Sequence, residues 1–147
     1  MSPLEAAVVR RKLGAMLECL ALLKPLVGLD AAAWRRDADR RDAAERRLQV
    51  CIEAAIDVNA HLLVAAGRAA PADAFQSFLD VAAQAQAIPE ELARRLAPSA
   101  GLRNRLVHRY DELDPALVLA GIADAVRLYP DYVQAVSGYL RRAAGGA

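Results

Sequence analysis

Residues 115–140, PALVLAGIADAVRLYPDYVQAVSGYL, decide what kind of fold this chain adopts. Within them Leu119, Ile122, Val126, Tyr129, Val133, Val136 and Leu140 recur at alternating intervals of three and four residues. That rhythm lines them along one side of an α-helix, whereas in a strand it would scatter them over both faces. Asp114-Pro115 supplies a capping residue and a proline suited to a first turn, so the helix is expected to open there. Pro130 should bend it, and residues 143–147 read as a frayed tail.

Working outward, the same periodicity fills the rest of the chain. Leu4, Val8, Leu13, Met16, Leu17, Leu20 and Leu23 form a first helix, ended by Pro25 and Gly28. A second begins between Asp30 and Asp37 and runs to Gly67, carrying Leu48, Ile52, Ala55, Asn59, Leu62 and Ala66. Its first part, WRRDADRRDAAERR at residues 34–47, alternates charge sign and offers i,i+4 pairs such as Asp37 with Arg41 and Asp42 with Arg46. It reads as a solvated face. Pro71 opens a third helix with Phe75, Phe78, Leu79 and Ala82 inward, which must stop before Ile88-Pro89. Pro89 then takes the first position of a fourth, with Glu90 and Glu91 favourably placed at its positive end. Pro98 and Gly101 should kink or interrupt that helix. The result is an all-α, up-and-down bundle of about five helices in one domain spanning residues 1–147.

Composition agrees. The 147 residues are 56% hydrophobic, dominated by Ala and Leu, and only 5% aromatic, which leaves little material for sheet. Nineteen Lys plus Arg oppose eighteen Asp plus Glu for a net +1, so affinity for nucleic acid must come from a local patch. Lys12 and Lys24 are the only lysines; Arg, the better fork for phosphate, carries the remaining positive charge. Cys19 and Cys51 read as small core residues of a reducing compartment. The N-terminus lacks a signal-peptide core and no apolar run approaches the ~20 residues that span a bilayer, so a cytoplasmic protein with no membrane association is expected. With two histidines, no Gly-rich phosphate loop and no cysteine pairs, neither a metal nor another cofactor is expected.

Chemistry concentrates in Leu102-Arg103-Asn104-Arg105-Leu106-Val107-His108-Arg109-Tyr110. At 100° per residue, Leu102, Leu106, Tyr110, Arg103 and Val107 fall within one arc of about 140°, which puts the Arg103 charge in the middle of an apolar face. A charge there needs a partner or a ligand, because burying it alone costs several kcal/mol. Asn104 and His108 are i,i+4 neighbours on the next strip, so the amide can orient the imidazole; Arg105 and Arg109 point further round, to solvent. Chemistry alone leaves two readings open, a structural Arg paired with a core carboxylate beside a satisfied His, or a ligand site. Glu53, Asp57 and His61 form another stripe, at i, i+4 and i+8, read here as an internal salt-bridge ladder in preference to a contribution to the site.

The stretch from Arg103 to Tyr110 resembles the Arg-x4-His-x-Tyr motif of HepT-like HEPN ribonuclease toxins. Glu45-Arg46-Arg47-Leu48-Gln49, Ile52-Glu53-Ala54-Ala55-Ile56-Asp57 and His61-Leu62 resemble that family's long second helix, and the segment from Phe75 through Ile88-Pro89 to Leu96-Ala97-Pro98 has its texture too. Residues 45–114 are covered. The resemblance implies a HEPN bundle and a metal-independent endoribonuclease, the toxin of a toxin–antitoxin pair, with the motif helices of two subunits facing across a homodimer cleft. Arg103 and His108 diverge by about 140° on one helix, so a composite site drawing on two copies converges more readily than a single one. In that setting His108 would be the general base or acid on RNA, imidazole being the side chain that titrates near working pH. Arg103 would hold the phosphate, Asn104 would orient, and Arg105 or Arg109 would bind the RNA backbone. The family's antitoxin is a minimal nucleotidyltransferase that attaches AMP to the motif tyrosine, which implies Tyr110 as the modified residue. Two rivals are a non-catalytic HEPN helper that binds nucleotide or docks a nucleotidyltransferase, and a purely structural bundle; the first would lack an intact Arg and His, and the second leaves Arg103 unexplained.

Overall fold

Caps and prolines fix where each helix starts and stops. The computed structural model describes residues 1–108 and 113–145. Helix α1 (Pro3–Leu23) opens on a reciprocal box: the Glu5 N–H donates to the Ser2 hydroxyl and the Ser2 N–H to the Glu5 carboxylate. A 3-10 turn (Lys24–Leu26) and Gly28, at a φ of 87° that only glycine adopts freely, turn the chain. Asp30 caps α2 (Ala31–Arg36), which buries Trp34.

The expected long second helix is in fact two, divided at Asp37. That carboxylate accepts from the Arg40 N–H and caps α3 (Ala38–Ala65) instead of pairing with Arg41, whose Nη1 donates to the Arg35 carbonyl. A short acidic side chain at the start of a helix satisfies an otherwise orphaned N–H, which outweighs a solvated i,i+4 pair. Helix α4 (Ala74–Ala83) starts three residues after Pro71, because Asp73 supplies its cap. Pro89 precedes α5 (Glu90–Leu96), and Pro98, with no N–H to donate, separates it from α6 (Ser99–Val107). Gly101 interrupts nothing; its N–H donates to the Pro98 carbonyl. Helix α7 (Pro115–Gly145) continues through Pro130 and through 143–145, where the sequence suggested fraying. Among the described residues the splits at Asp37 and Pro98 turn about five expected helices into seven, and no strand occurs.

Helix α3 is the axis of the packing, with α1 along it and α4, α6 and α7 on its other sides. By length and composition α3 is long and apolar enough to cross a membrane, contrary to the expectation that no run came close. Leu48, Ile52, Val58, Leu62 and Leu63, which raise its hydropathy, are buried in the core, whereas Val64 near the end of the helix is exposed. A polar network crosses this core. The Asn59 amide donates to Ser77 Oγ at 3.1 Å, Ser77 donates to the Ala74 carbonyl, and the Tyr132 hydroxyl is shared between the Ala55 carbonyl and Asn59 Oδ1. It ties α3, α4 and α7 together at full burial. Tyr132 also meets Phe78 and Tyr129 edge to face, at ring distances of 6.2 and 5.8 Å.

Candidate active site

Helix α6 is held at both faces. At its start, Ser99 Oγ donates to the Leu96 carbonyl and lies 2.6 Å from the Tyr129 hydroxyl, so Tyr129 is the donor in that second bond. Burial pushes the Tyr129 hydroxyl well above its ordinary range and keeps it protonated for that task. Ala100 and Leu106 are buried, and Leu102 packs over Gly121 of α7, where a Cβ would collide with the Leu102 side chain. A glycine inside α7 thus lets the two helices approach.

On this frame Arg103 is half-buried, and its Nε is buried with no hydrogen-bond partner. No ion pair joins Arg103 to a carboxylate among the described residues, so the purely structural reading of this charge lacks its expected partner. Arg105 is exposed, as its position on the wheel required, and Asn104 is exposed as well. His108 is not inside the helix but is its C-cap, at φ −104° and ψ 25°, with its N–H donating to the Asn104 carbonyl at 2.9 Å. The contact between Asn104 and His108 is therefore made by backbone; their side chains both face solvent and form no hydrogen bond with each other. Val107, expected on the apolar arc, is 40% exposed, because it sits in the last turn beyond the cover of neighbouring helices. Arg109 and Tyr110 lie outside the described residues.

The second stripe is not a ladder. Glu53 accepts from Gln49 Nε2 at 2.9 Å, Asp57 pairs with Lys12 of α1 at 3.3 Å, and His61 is exposed beside that pair. The Lys12–Asp57 pair fastens α3 to α1, and the Gln49–Glu53 bond stays within α3. Cys51 is core, as expected, with burial raising its thiol to about 12, whereas Cys19 is only half-buried. Among the described residues no group of His, Cys, Asp or Glu could hold a metal ion.

One feature escaped the sequence reading. Behind α6 a cavity of about 190 Å³ opens between α3, the end of α5 and α7, walled by leucines and Ile52, with the Ser99 and Tyr129 hydroxyls beside it and Arg95 and Asp124 lining it. Gly121, the one glycine among strong helix formers in the first half of α7, was its only trace in the sequence.

A profile for the family described as "Ribonuclease HepT-like" matches residues 16–136. The chain is 34% identical over 140 residues to a protein from Aphanizomenon flos-aquae named tRNA nuclease HepT, covering 95% of each. It is 25% identical over 129 residues to the mRNA nuclease HepT of Shewanella oneidensis, covering 88% of this chain and 96% of that one. In three dimensions it matches a tri-AMPylated Shewanella oneidensis HEPN toxin solved in complex with an MNT antitoxin, with a TM-score of 0.77 over 94% of this chain and 99% of the other at 24% identity. At that identity the likeness is one of fold.

Proposed function

The chain belongs to the HepT-like ribonuclease family, and from that premise we propose that it is the toxin of a toxin–antitoxin pair, a cytoplasmic endoribonuclease whose site is completed by a second copy of itself. The observation that carries the reading is Arg103: a half-buried guanidinium whose Nε is desolvated without a partner is set to receive an anionic ligand. A phosphodiester supplies acceptors for the outer guanidinium nitrogens, with Nε remaining sealed beneath them. His108, exposed at the end of α6, takes the proton of the ribose 2′-hydroxyl or returns one to the departing oxygen. Arg103 stabilises the extra charge on the phosphorane, and Asn104 and Arg105, exposed on the same helix, orient and attract the RNA backbone, with Arg109 as a further backbone contact. The nucleophile is the substrate's own hydroxyl, so the step needs no metal-activated water.

The homodimer is supported by Val107. An exposed valine beside the polar strip is the kind of residue a facing copy of α6 would cover, and the two-fold pairing would bring Arg103 of one subunit towards His108 of the other. Regulation follows at Tyr110, two residues beyond His108: a partner nucleotidyltransferase transfers AMP from ATP to the phenolic oxygen and releases pyrophosphate. The new phosphodiester places negative charge where RNA must bind. The deciding experiment incubates purified, unmodified protein with total RNA beside a His108→Ala control, which should cut at least ~100-fold more slowly while remaining folded. Equal cleavage by both would remove His108 from the mechanism.

A further inference from the structure

We propose that the cavity behind α6 is a base-specificity pocket that takes a cytosine of the RNA substrate. The inference rests on the reading of the chain as a ribonuclease and assigns its substrate preference. Size comes first. A dry cavity of ~150 Å³ admits a benzene ring, so one of about 190 Å³ suits a single six-membered heterocycle with its substituents and is small for a purine. Its walls are apolar, including Leu48, Ile52, Leu102 and Leu117, which suits the faces of a flat base unstacked from a single strand.

The polar groups select among such bases. Arg95 and Asp124 are both more than half exposed and each is tied within its own helix through one atom, Arg95 Nε to Glu91 at 3.1 Å and Asp124 Oδ1 to Arg127 at 3.0 Å. Both Nη groups of Arg95 and Oδ2 of Asp124 have no partner among the described residues. Arg95 thus brings free donors, and Asp124 a free acceptor, to the lining of the cavity. Cytosine matches both: its exocyclic amine donates to the carboxylate, and its ring nitrogen and carbonyl accept from the guanidinium. Uracil would turn a carbonyl towards Asp124 instead. Leu102 of the pocket's wall directly precedes Arg103, and His108 lies six residues after Leu102, about 9 Å of helix rise.

Cleavage sites mapped on a randomised single-stranded RNA should show cytosine enriched at one fixed position relative to the cut. Asp124→Ala and Arg95→Ala, both surface changes, should lower the cytosine-over-uracil preference about tenfold. A wild-type profile indifferent to cytosine, or one unchanged in both variants while His108→Ala is inactive, overturns the pocket and leaves the ribonuclease reading standing. Should His108→Ala cut like the wild type, the mechanism fails, and binding decides the pocket separately. Cytidine 5′-monophosphate should then shift the methyl resonances of Leu48, Leu102 and Leu117, uridine 5′-monophosphate should do so at least tenfold more weakly, and Leu117→Phe should abolish the response. No shift at millimolar nucleotide, or equal shifts with both, rejects the assignment.

Discussion

Replacing Arg103 with methionine should make the free protein more stable and the enzyme far slower. The Arg103 side chain is half-buried and its Nε is sealed from solvent without an acceptor, so the folded state carries the desolvation cost of that donor, about 1–3 kcal/mol. Methionine keeps an unbranched apolar stem of similar reach and removes the orphaned N–H. Some packing and a fraction of the gain are lost as the stem readjusts, so unfolding in urea should shift towards higher stability by about 1 kcal/mol with an unchanged slope. Cleavage should fall by about 10²–10³-fold, the cost of deleting one donor to a developing oxyanion. Arg103→Lys should recover little of the rate, because an ammonium lacks the two-pronged fork that fits a phosphate. The paired assay is urea denaturation followed by circular dichroism, and cleavage of a fixed RNA by the same preparations. If Arg103→Met lost more than 1 kcal/mol of stability and its rate fell only in step with the folded fraction, Arg103 would be a fold-holding residue and the site would need another anion-binding group.

Tyr132→Phe leaves Asn59 Oδ1 and the Ala55 carbonyl without their shared donor at full burial, so it should cost about 1–3 kcal/mol of stability by urea titration, and a loss below about 0.5 kcal/mol would show that the network closes by other means. Burial raises the Cys51 thiol from its ordinary 9.0 to about 12, so only the unfolded chain ionises between these values. Stability present below pH 9 is therefore lost as pH climbs towards 12, joined from about pH 10 by Tyr129 and Tyr132, which are also pushed up by burial. The urea midpoint should drop between pH 9 and 10, less steeply in Cys51→Ala, and a flat wild-type profile would contradict the burial argument. Tyr110→Phe should fold and cut RNA yet escape neutralisation by a co-expressed nucleotidyltransferase, with intact mass showing an added AMP on the wild type alone; a fully neutralised, unmodified wild type would mean inhibition by docking.

Helix existence was legible in the sequence because apolar period and breakers agree along the chain; helix boundaries were not, where one residue serves two purposes. Asp37 offers the same carboxylate to a side-chain pair or to a backbone cap, and only the path of the chain from α2 decides for the cap. Periodicity marked Asn59 as inward but could not find Ser77 and Tyr132, its partners 18 and 73 residues away. At the candidate site, the wheel placed Arg103 on the packed side and Arg105 in solvent, as the structure does. It failed for Val107 and His108, since a wheel has no end and α6 stops at Val107. The cavity was invisible for a related reason: its walls come from three separated segments, and an absence of atoms has no motif.

The break at Pro98 has a consequence in time as well as in space. It leaves Arg103 and Asn104 on a nine-residue helix, with His108 as its cap, that is too short to persist on its own in water, so its order is borrowed from α3, α4 and α7. Amide protons of α6 should therefore exchange with solvent sooner than those of the middle of α3, through openings that leave the rest of the core intact. If α6 carries the chemistry as proposed, catalytic competence has a lower melting threshold than the protein that holds it. Warming or mild denaturant should silence the enzyme before the global helical signal falls, and cooling should restore it without refolding.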